Sequence, residues 1–223
     1  MKLVNLIGHL IVDRVFTGFD CIDTLGGIAN VWSSLLKLNQ HIQVNVSPCA
    51  IGEALIVVDM NTNRRVGKAI LNYKQIVPTF AESDWNHVAY INQIKKLDFL
   101  DNLSSIISAD ITKESPELCF DYLDKLDYLF LSREDLFEDI KLLGKKVKKW
   151  VIAHDPVGSV YSNGKQTFEY KLPKDKYLNN MNVLGAGDSF AAAFINEHLY
   201  YNTDVHSIIK NSHLKTTKLI QEK

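Results

Sequence analysis

The sequence predicts an α/β fold in which helices cover a mostly parallel sheet. Short apolar runs alternate with longer amphipathic runs along most of the chain, a pattern typical of βα units. Two polar turns flanked by strand-like segments indicate additional β hairpins. With 223 residues, of which 46% are hydrophobic and 23% charged, the chain can bury one sizeable core, so we expect a single domain over residues 1–223.

The N-terminal segment predicts a buried first strand. Residues 1–8 are apolar but short, and a link from Gly8 leads to Asp13, so the long apolar region and cleavage site of a signal peptide are missing. Gly8 is followed by His9, and no Gly-x-Gly-x-x-Gly motif follows the strand. A dinucleotide-binding oxidoreductase is therefore disfavoured.

A pair of glycines comes next. Gly26 and Gly27 precede Asn30, and paired glycines let a ligand approach the backbone. Asp13 and Asn30 are short polar side chains that can bind hydroxyl groups. A simple helix-entry turn is the alternative for the glycine pair alone. Together these four residues form a candidate substrate-binding set.

The region of residues 42–80 predicts a small β lid or hairpin. Residues 54–58 and 66–73 have the composition of strands, and they flank a polar turn at residues 61–64.

The second half of the chain predicts consecutive βα units. Strands are expected at residues 104–109, 128–131 and 150–153, with helices at 116–126 and 134–146. A second hairpin is expected from residues 159–161 and 167–170, because the intervening Asn163 and Gly164 favour the positive φ of a tight turn.

The segment 182–195 is the strongest candidate for chemistry. It is a loop with two glycines that opens directly into an apolar helix. The free amides and positive dipole of a helix start bind anions, and small residues let a phosphate approach them closely. Asp188 follows the Gly-Ala-Gly sequence at 185–187, where a carboxylate can accept a proton from an attacking hydroxyl. A simple helix cap is the alternative for Asp188.

Composition and charge limit the partners. The 25 basic and 26 acidic residues give a formal net charge of -1, so we expect no nucleic-acid or membrane partner. The lysine-rich stretch 141–149 is interpreted as the solvated end of a helix. No run of about 18 apolar residues predicts a transmembrane helix. Cys21, Cys49 and Cys119 lack paired spacing, which favours a reducing compartment and hence the cytoplasm.

The run Gly-Ala-Gly-Asp-Ser-Phe at residues 185–190 resembles the C-terminal signature of PfkB-type carbohydrate kinases of the ribokinase superfamily, Asp-Thr-x-Gly-Ala-Gly-Asp-x-Phe. Asp13 and the Gly-Gly-x-x-Asn turn at 26–30 resemble the sugar-binding elements of the same family. The matching segments follow the order of the family from about residue 3 to residue 218.

This resemblance implies a ribokinase-like three-layer α/β/α sandwich with a small β lid. It implies that Asp188 is the catalytic base and that the backbone amides of Gly185, Ala186 and Gly187 form the anion hole. Asp13, Gly26, Gly27 and Asn30 would bind the substrate.

The resemblance also implies a nucleotide side that uses ATP and Mg²⁺. Residues 132–135 stand where the family has Asn-x-x-Glu, and residues 153–158 stand where it has Thr-x-Gly-x-x-Gly. Asp135 would serve the magnesium through water. The cofactor-binding residues expected from these positions and from the last helix are Ser132, Asp135, Ala153, Asp155, Gly158 and Ser212.

This side departs from the family pattern. Ser132 replaces the Asn, and Ala153 and Asp155 replace the Thr and the first Gly of the loop. Asp155 adds negative charge where a triphosphate would run, unless its side chain is turned away. Three further replacements precede the glycine signature: Asn182, Val183 and Leu184.

The sequence therefore predicts an ATP-dependent kinase that phosphorylates a hydroxyl group of a sugar or sugar-like small molecule. The alternative is a catalytically weakened relative that binds a sugar or nucleotide as a regulatory protein. A homodimer could form through the β lid, because exposed sheet edges tend to pair.

Overall fold

A ten-stranded sheet runs through the part of the chain that the computed structural model describes, residues 1–18, 20–59, 64–177, 184–201 and 204–222. Its strands are β1 (Leu3–Thr17), β2 (Asp20–Gly27), β3 (Gln43–Asp59), β4 (Arg64–Gln75), β5 (Trp85–Val88), β6 (Ile106–Asp110), β7 (Tyr128–Ser132), β8 (Trp150–Asp155), β9 (Gly158–Ser162) and β10 (Thr167–Lys171). Neighbours follow the order β10-β9-β8-β7-β6-β5-β1-β3-β4, and β2 pairs with β1.

The centre of the sheet is parallel. β3, β1, β5, β6, β7 and β8 pair in parallel, whereas β2, β4, β9 and β10 add antiparallel partners. In β7, Leu129 and Leu131 enter one core, while Tyr128 and Phe130 enter the other. Burial on both faces explains why such strands are apolar throughout. The predicted mostly parallel sheet is confirmed.

Helices cover both faces of the sheet. The described α-helices are α1 (Ile28–Leu38), α2 (Ile140–Gly144), α3 (Ala186–Tyr201) and α4 (Val205–Gln221). Side chains of α1, α3 and α4 share one core with the sheet, and α2 contributes to the core on the other face. No helix in these described segments is both long enough and apolar enough to cross a membrane.

Two helix predictions need correction. The segment predicted as one helix over 134–146 is a 3₁₀ turn at Arg133–Asp135 followed by the short α2. The Asp139 carboxylate accepts hydrogen bonds from the first amides of α2, so the helix begins only there. The segment predicted as a helix over 116–126 is a 3₁₀ helix, Pro116–Lys125.

The β lid is larger than the sequence predicted. β1 and β3 run on beyond the central sheet, and β2 and β4 pair with their outer parts. Asp13 therefore lies within the 15-residue strand β1, and the prediction that it follows the first strand in a link is wrong. The predicted hairpin of β3 with β4 is confirmed, although its turn at 61–63 lies outside the described residues.

The second hairpin is confirmed by the antiparallel pairing of β9 with β10. Gly164 in its turn has φ of 80°, the left-handed conformation that the sequence predicted. The strand predicted at 104–109 begins at Ile106 and extends to Asp110, which places the Asp110 carboxylate at the carboxyl end of β6.

Candidate active site

The start of α3 lies at the carboxyl ends of the parallel strands. Gly185 has φ of 73°, and its carbonyl accepts a 3.0 Å hydrogen bond from the Ser189 amide, which closes the first turn of the helix. Amides in a first helical turn have no intrahelical partner and carry the positive end of the dipole. Gly185, Ala186 and Gly187 are partly exposed, so an anion can reach this turn. Asn182 and Val183 lie outside the described residues.

Asp188 is held in this turn by two side chains from other elements. Asn30 Nδ2, on α1, donates a 2.9 Å hydrogen bond to Asp188 Oδ2, and the Tyr90 hydroxyl donates a 3.2 Å bond to Oδ1. Both carboxylate oxygens are therefore fixed in direction. Their contacts are with side chains of the sheet edge and of α1, which is not the pattern of a simple helix cap.

Tyr90 has an unusual backbone conformation. It lies two residues after the end of β5 and adopts φ 56° and ψ 56°, a left-handed conformation that is uncommon for a bulky residue. Such strain persists where the surroundings enforce it, and it is often associated with functional sites. Here the conformation is accompanied by the hydrogen bond from the phenol to Asp188.

The surroundings of Asp188 make it a stronger base than an ordinary aspartate. Its side chain is 3% exposed, and burial, with a further contribution from the negative charge of Asp110, raises its pKa from 3.8 to about 6. The hydrogen bonds from Asn30 and Tyr90 act in the opposite direction and lower the pKa. The carboxylate is therefore ionised near pH 7 but has a higher proton affinity than in water.

A buried chain of hydrogen bonds leads to Asp110. Trp85 Nε1 donates to Ser108 Oγ at 2.8 Å, Ser108 Oγ lies 2.9 Å from His87 Nδ1, and His87 Nε2 lies 3.2 Å from Asp110 Oδ2. Because the indole can only donate, the Ser108 hydroxyl is free to donate to Nδ1, which leaves the Nε2 proton of His87 for Asp110. This arrangement fixes the orientation of the Asp110 carboxylate at the end of β6.

Two of the four substrate-binding candidates, Asp13 and Gly26, are in contact with each other. Gly26 lies under the side chain of Asp13, since a Cβ at Gly26 would be 1.9 Å from Asp13 Oδ2. Gly27 has φ of 62°, and a Cβ there would be 2.0 Å from the His9 carbonyl oxygen. Gly27 is the residue before α1, so this tight turn sets the position of Asn30 and hence its bond to Asp188.

Three of the residues predicted to bind the nucleotide lie near Arg133; these are Ser132, Asp135 and Asp155. Ser132 Oγ accepts a hydrogen bond from the Asp135 amide and starts the 3₁₀ turn. The Asp155 carboxylate forms a 3.0 Å ion pair with Arg133, which also contacts Glu169 at 3.3 Å. The negative charge of Asp155 is thus balanced within the protein. Asp135 is partly exposed, and no group of three or more metal-binding side chains occurs among the described residues.

The other three candidates on this side are enclosed. Ala153 is fully buried in the core, and Ser212 is fully buried with its hydroxyl donating to the Ile208 carbonyl at 2.7 Å. Gly158 is also buried, and a Cβ there would be 2.0 Å from the Tyr170 carbonyl oxygen. In this conformation the side chains of Ala153 and Ser212 are not exposed to a ligand.

The sequence interpretation did not assign roles to Tyr90, His87, Asp110 and His154. Each lies at or near the end of a parallel strand, the edge at which ligands bind in open α/β sheets. A polar residue just after a buried apolar run was the available signal. What the linear sequence did not show is that these strand ends lie beside Asp188.

Comparisons with known proteins gave matches in structure only. No family model and no curated protein sequence matches the chain. A sulfate complex of a pyrophosphate-dependent kinase in the ribokinase family matches with a TM-score of 0.74 and 14% identity, over 98% of this chain and 95% of that one.

Two further structures are similarly related. The nucleoside kinase of Methanocaldococcus jannaschii, an archaeal member of the ribokinase family, gives a TM-score of 0.71 at 15% identity, over 99% of this chain and 92% of the other. The ribokinase of Thermotoga maritima gives 0.68 at 16% identity, over 99% and 93%. The likeness extends over almost the whole chain, so this protein has the ribokinase-like α/β fold.

Proposed function

We propose that the protein is a kinase that transfers a phosphoryl group from ATP to a hydroxyl group of a sugar or sugar-like small molecule. The observation that carries the proposal is the placement of Asp188. Its buried carboxylate, with a pKa raised to about 6, lies in the same helical turn as the partly exposed amides of the glycine signature. A base beside an anion hole is the arrangement that phosphoryl transfer to a hydroxyl requires.

The chemistry assigns one task to each part of this site. The acceptor hydroxyl gives its proton to Asp188 as its oxygen bonds to the terminal phosphorus of the donor, and the bond from that phosphorus to the leaving phosphate oxygen breaks. The first-turn amides of α3 hold the phosphoryl oxygens. Asn30 and Tyr90 keep the carboxylate pointing at the acceptor, and Asp13 binds other hydroxyls of the acceptor.

The residues on the donor side fit a magnesium ion held mainly by the donor. Asp135 is one partly exposed carboxylate, and Mg²⁺ commonly takes only one or two protein carboxylates, with water and phosphate oxygens as its other ligands. When bound, the ion would neutralise charge on the donor phosphates. Because Arg133 already balances Asp155, that carboxylate does not need to oppose a triphosphate.

The test is a phosphoryl-transfer screen with purified protein, MgCl₂ and a panel of sugars, cyclitols and nucleosides. ATP is the expected donor, and inorganic pyrophosphate belongs in the screen because a structurally similar kinase is pyrophosphate-dependent. Transfer that is lost in Asp188→Asn supports the proposal. Equal turnover by both proteins would remove Asp188 from the role of base.

The enclosed positions Ala153 and Ser212 favour one second candidate, a regulatory protein that binds its ligand without turnover. Ligands that prefer the native state raise its apparent stability by mass action. A rise in melting temperature with a sugar, but not with ATP, ADP or pyrophosphate, and no transfer in the screen, would favour this candidate over the kinase.

We also infer that the lid can pair two copies of the chain. Its strands expose several large apolar side chains, a composition typical of an interface; these are Val12, Phe16, Ile22, Leu25, Ile51 and Val57. Light scattering after size exclusion would test the dimer, with Ile22→Lys expected to yield monomers.

The free cysteines at 21, 49 and 119 support a reducing compartment, and we propose the cytoplasm.

A further inference from the structure

One histidine lies against the glycine signature. His154 is the penultimate residue of β8, and its ring faces the start of α3. A Cβ built on Gly187 would be 3.4 Å from His154 Cε1 and 3.7 Å from Nε2. The edge of the ring that carries Nε2 is therefore in contact with the turn whose amides form the proposed anion hole.

The ring is held in place by aromatic packing. It stacks on Phe190 with the ring centres 4.7 Å apart and the planes at 25°. Phe190 is fully buried and contacts His213, whose Nε2 lies 2.6 Å from Ser159 Oγ. His154 is thus held in place by packing, as a group that contacts a ligand should be.

The ring nitrogens of His154 are available for a ligand. Within the described part of the chain, no group forms a hydrogen bond with the imidazole of His154. His154 itself is partly exposed.

The ring of His154 can donate a hydrogen bond in either protonation state. Burial lowers its pKa, while Asp110 and Asp155 act in the opposite direction, and Arg133 is paired with Asp155. A neutral imidazole still carries one N–H, so the ring can donate a hydrogen bond without being protonated.

We propose that His154 binds the phosphoryl donor, with its ring N–H donating a hydrogen bond to an oxygen of the phosphoryl group that rests on the first-turn amides of α3. The ligand class is a phosphate anhydride, whose terminal oxygens are strong acceptors. This inference rests on the proposed function, because it concerns the same anion hole. It supplies a side-chain contact on the side of the site where Ala153 and Ser212 are enclosed.

Two substitutions separate this role from simple packing. His154→Phe keeps a flat ring for the stack on Phe190 but has no N–H. His154→Gln loses the ring but keeps a donor group of similar reach. Loss of a hydrogen bond to a charged oxygen lowers the affinity for the ligand that carries it by about tenfold. We expect kcat/KM for the donor to fall about tenfold in His154→Phe and less than about threefold in His154→Gln, with the KM of the acceptor unchanged in both.

Binding of inorganic pyrophosphate in MgCl₂, measured by calorimetry, tests the contact without turnover. We expect the same order of affinities, with wild type and His154→Gln well above His154→Phe. The matched control is His41→Phe, at an exposed position, which should bind like the wild type. If His154→Gln loses affinity while His154→Phe keeps it, the ring serves packing and the proposal is wrong. It is equally wrong if wild type binds neither pyrophosphate nor ATP.

The two proposals can fail separately. If the expected affinities are found but no acceptor is phosphorylated with any donor, the proposed function is wrong and the His154 contact stands. If wild type transfers phosphoryl groups and neither His154 variant changes the donor kinetics, the contact is wrong and the function stands.

Discussion

Replacement of Asp188 by Asn should abolish phosphoryl transfer and at the same time stabilise the fold. Asp188 is 3% exposed, and the pKa of its carboxylate is raised from 3.8 to about 6, chiefly by burial. At pH 7 the Asp188 carboxylate is charged in both states. In the folded protein this charge is buried, whereas in the unfolded chain it is surrounded by water. The difference, 6 − 3.8, is about 2 pKa units and corresponds to about 3 kcal/mol of folding free energy.

The size of this effect depends on pH. Below about pH 3.8 the group is protonated in both states, and it costs no stability. As the pH rises towards about 6, the unfolded chain loses the proton before the folded protein does, so the fold loses stability, and above that pH the loss is constant. Asn is neutral throughout, so the advantage of the variant should grow between these two pH values and then remain level.

The substitution also preserves most of the local hydrogen bonding. Asn30 can donate to the new amide oxygen, and the new amide nitrogen can donate to the Tyr90 hydroxyl, although bonds to a neutral amide are weaker than those to a carboxylate. We therefore expect a net gain of about 1–3 kcal/mol at pH 7, which is a rise in melting temperature of about 2–12 °C for a chain of this size.

Urea and thermal unfolding of both proteins at pH 7 and pH 4 measure this gain. Asp121→Asn, at an exposed carboxylate, is the matched control and should change stability by less than about 0.5 kcal/mol. A variant no more stable than wild type at pH 7, or a gain equally large at pH 4, would refute the assignment of a buried charge. Retained transfer activity would refute the assignment of the base.

Three further outcomes follow from the same contacts. Asp110→Asn removes a negative charge that raises the pKa of Asp188, so the acidic limb of kcat/KM, expected near pH 6, should move down by about one unit in a pH-rate profile. Tyr90→Phe removes a hydrogen bond that lowers this pKa, so the same limb should move up; equal profiles for the two variants would contradict both assignments. Gly27→Ala requires a side chain at φ 62° and 2.0 Å from the His9 carbonyl oxygen, so urea unfolding should show a loss of about 2 kcal/mol or more.

Several strands of the sheet were predictable from the sequence, whereas the helical layer on one face was not. The strand at 128–131 was evident because both faces of a central parallel strand are buried, which makes the sequence apolar throughout. The 3₁₀ helix Pro116–Lys125 has an apolar spacing that also suits an α-helix. The same holds for the segment 134–146, which instead contains the end of a 3₁₀ turn and the short α2. Periodicity over so few residues does not separate the two.

By itself, the sequence determined the α/β class, the hairpin of β9 with β10, and the glycine-rich entry into α3, because each depends on local chemistry: apolar alternation, an Asn-Gly turn and small residues before an apolar helix. Only the tertiary structure decided the contacts made by Asp188. Asn30 and Tyr90 lie 158 and 98 residues away along the chain. Tyr90 meets Asp188 because it comes just after the parallel strand β5, and Asn30 meets it because α1 packs in the same core as α3. The same is true of the raised pKa, since burial and the charge of Asp110 arise from packing between elements that are distant in sequence.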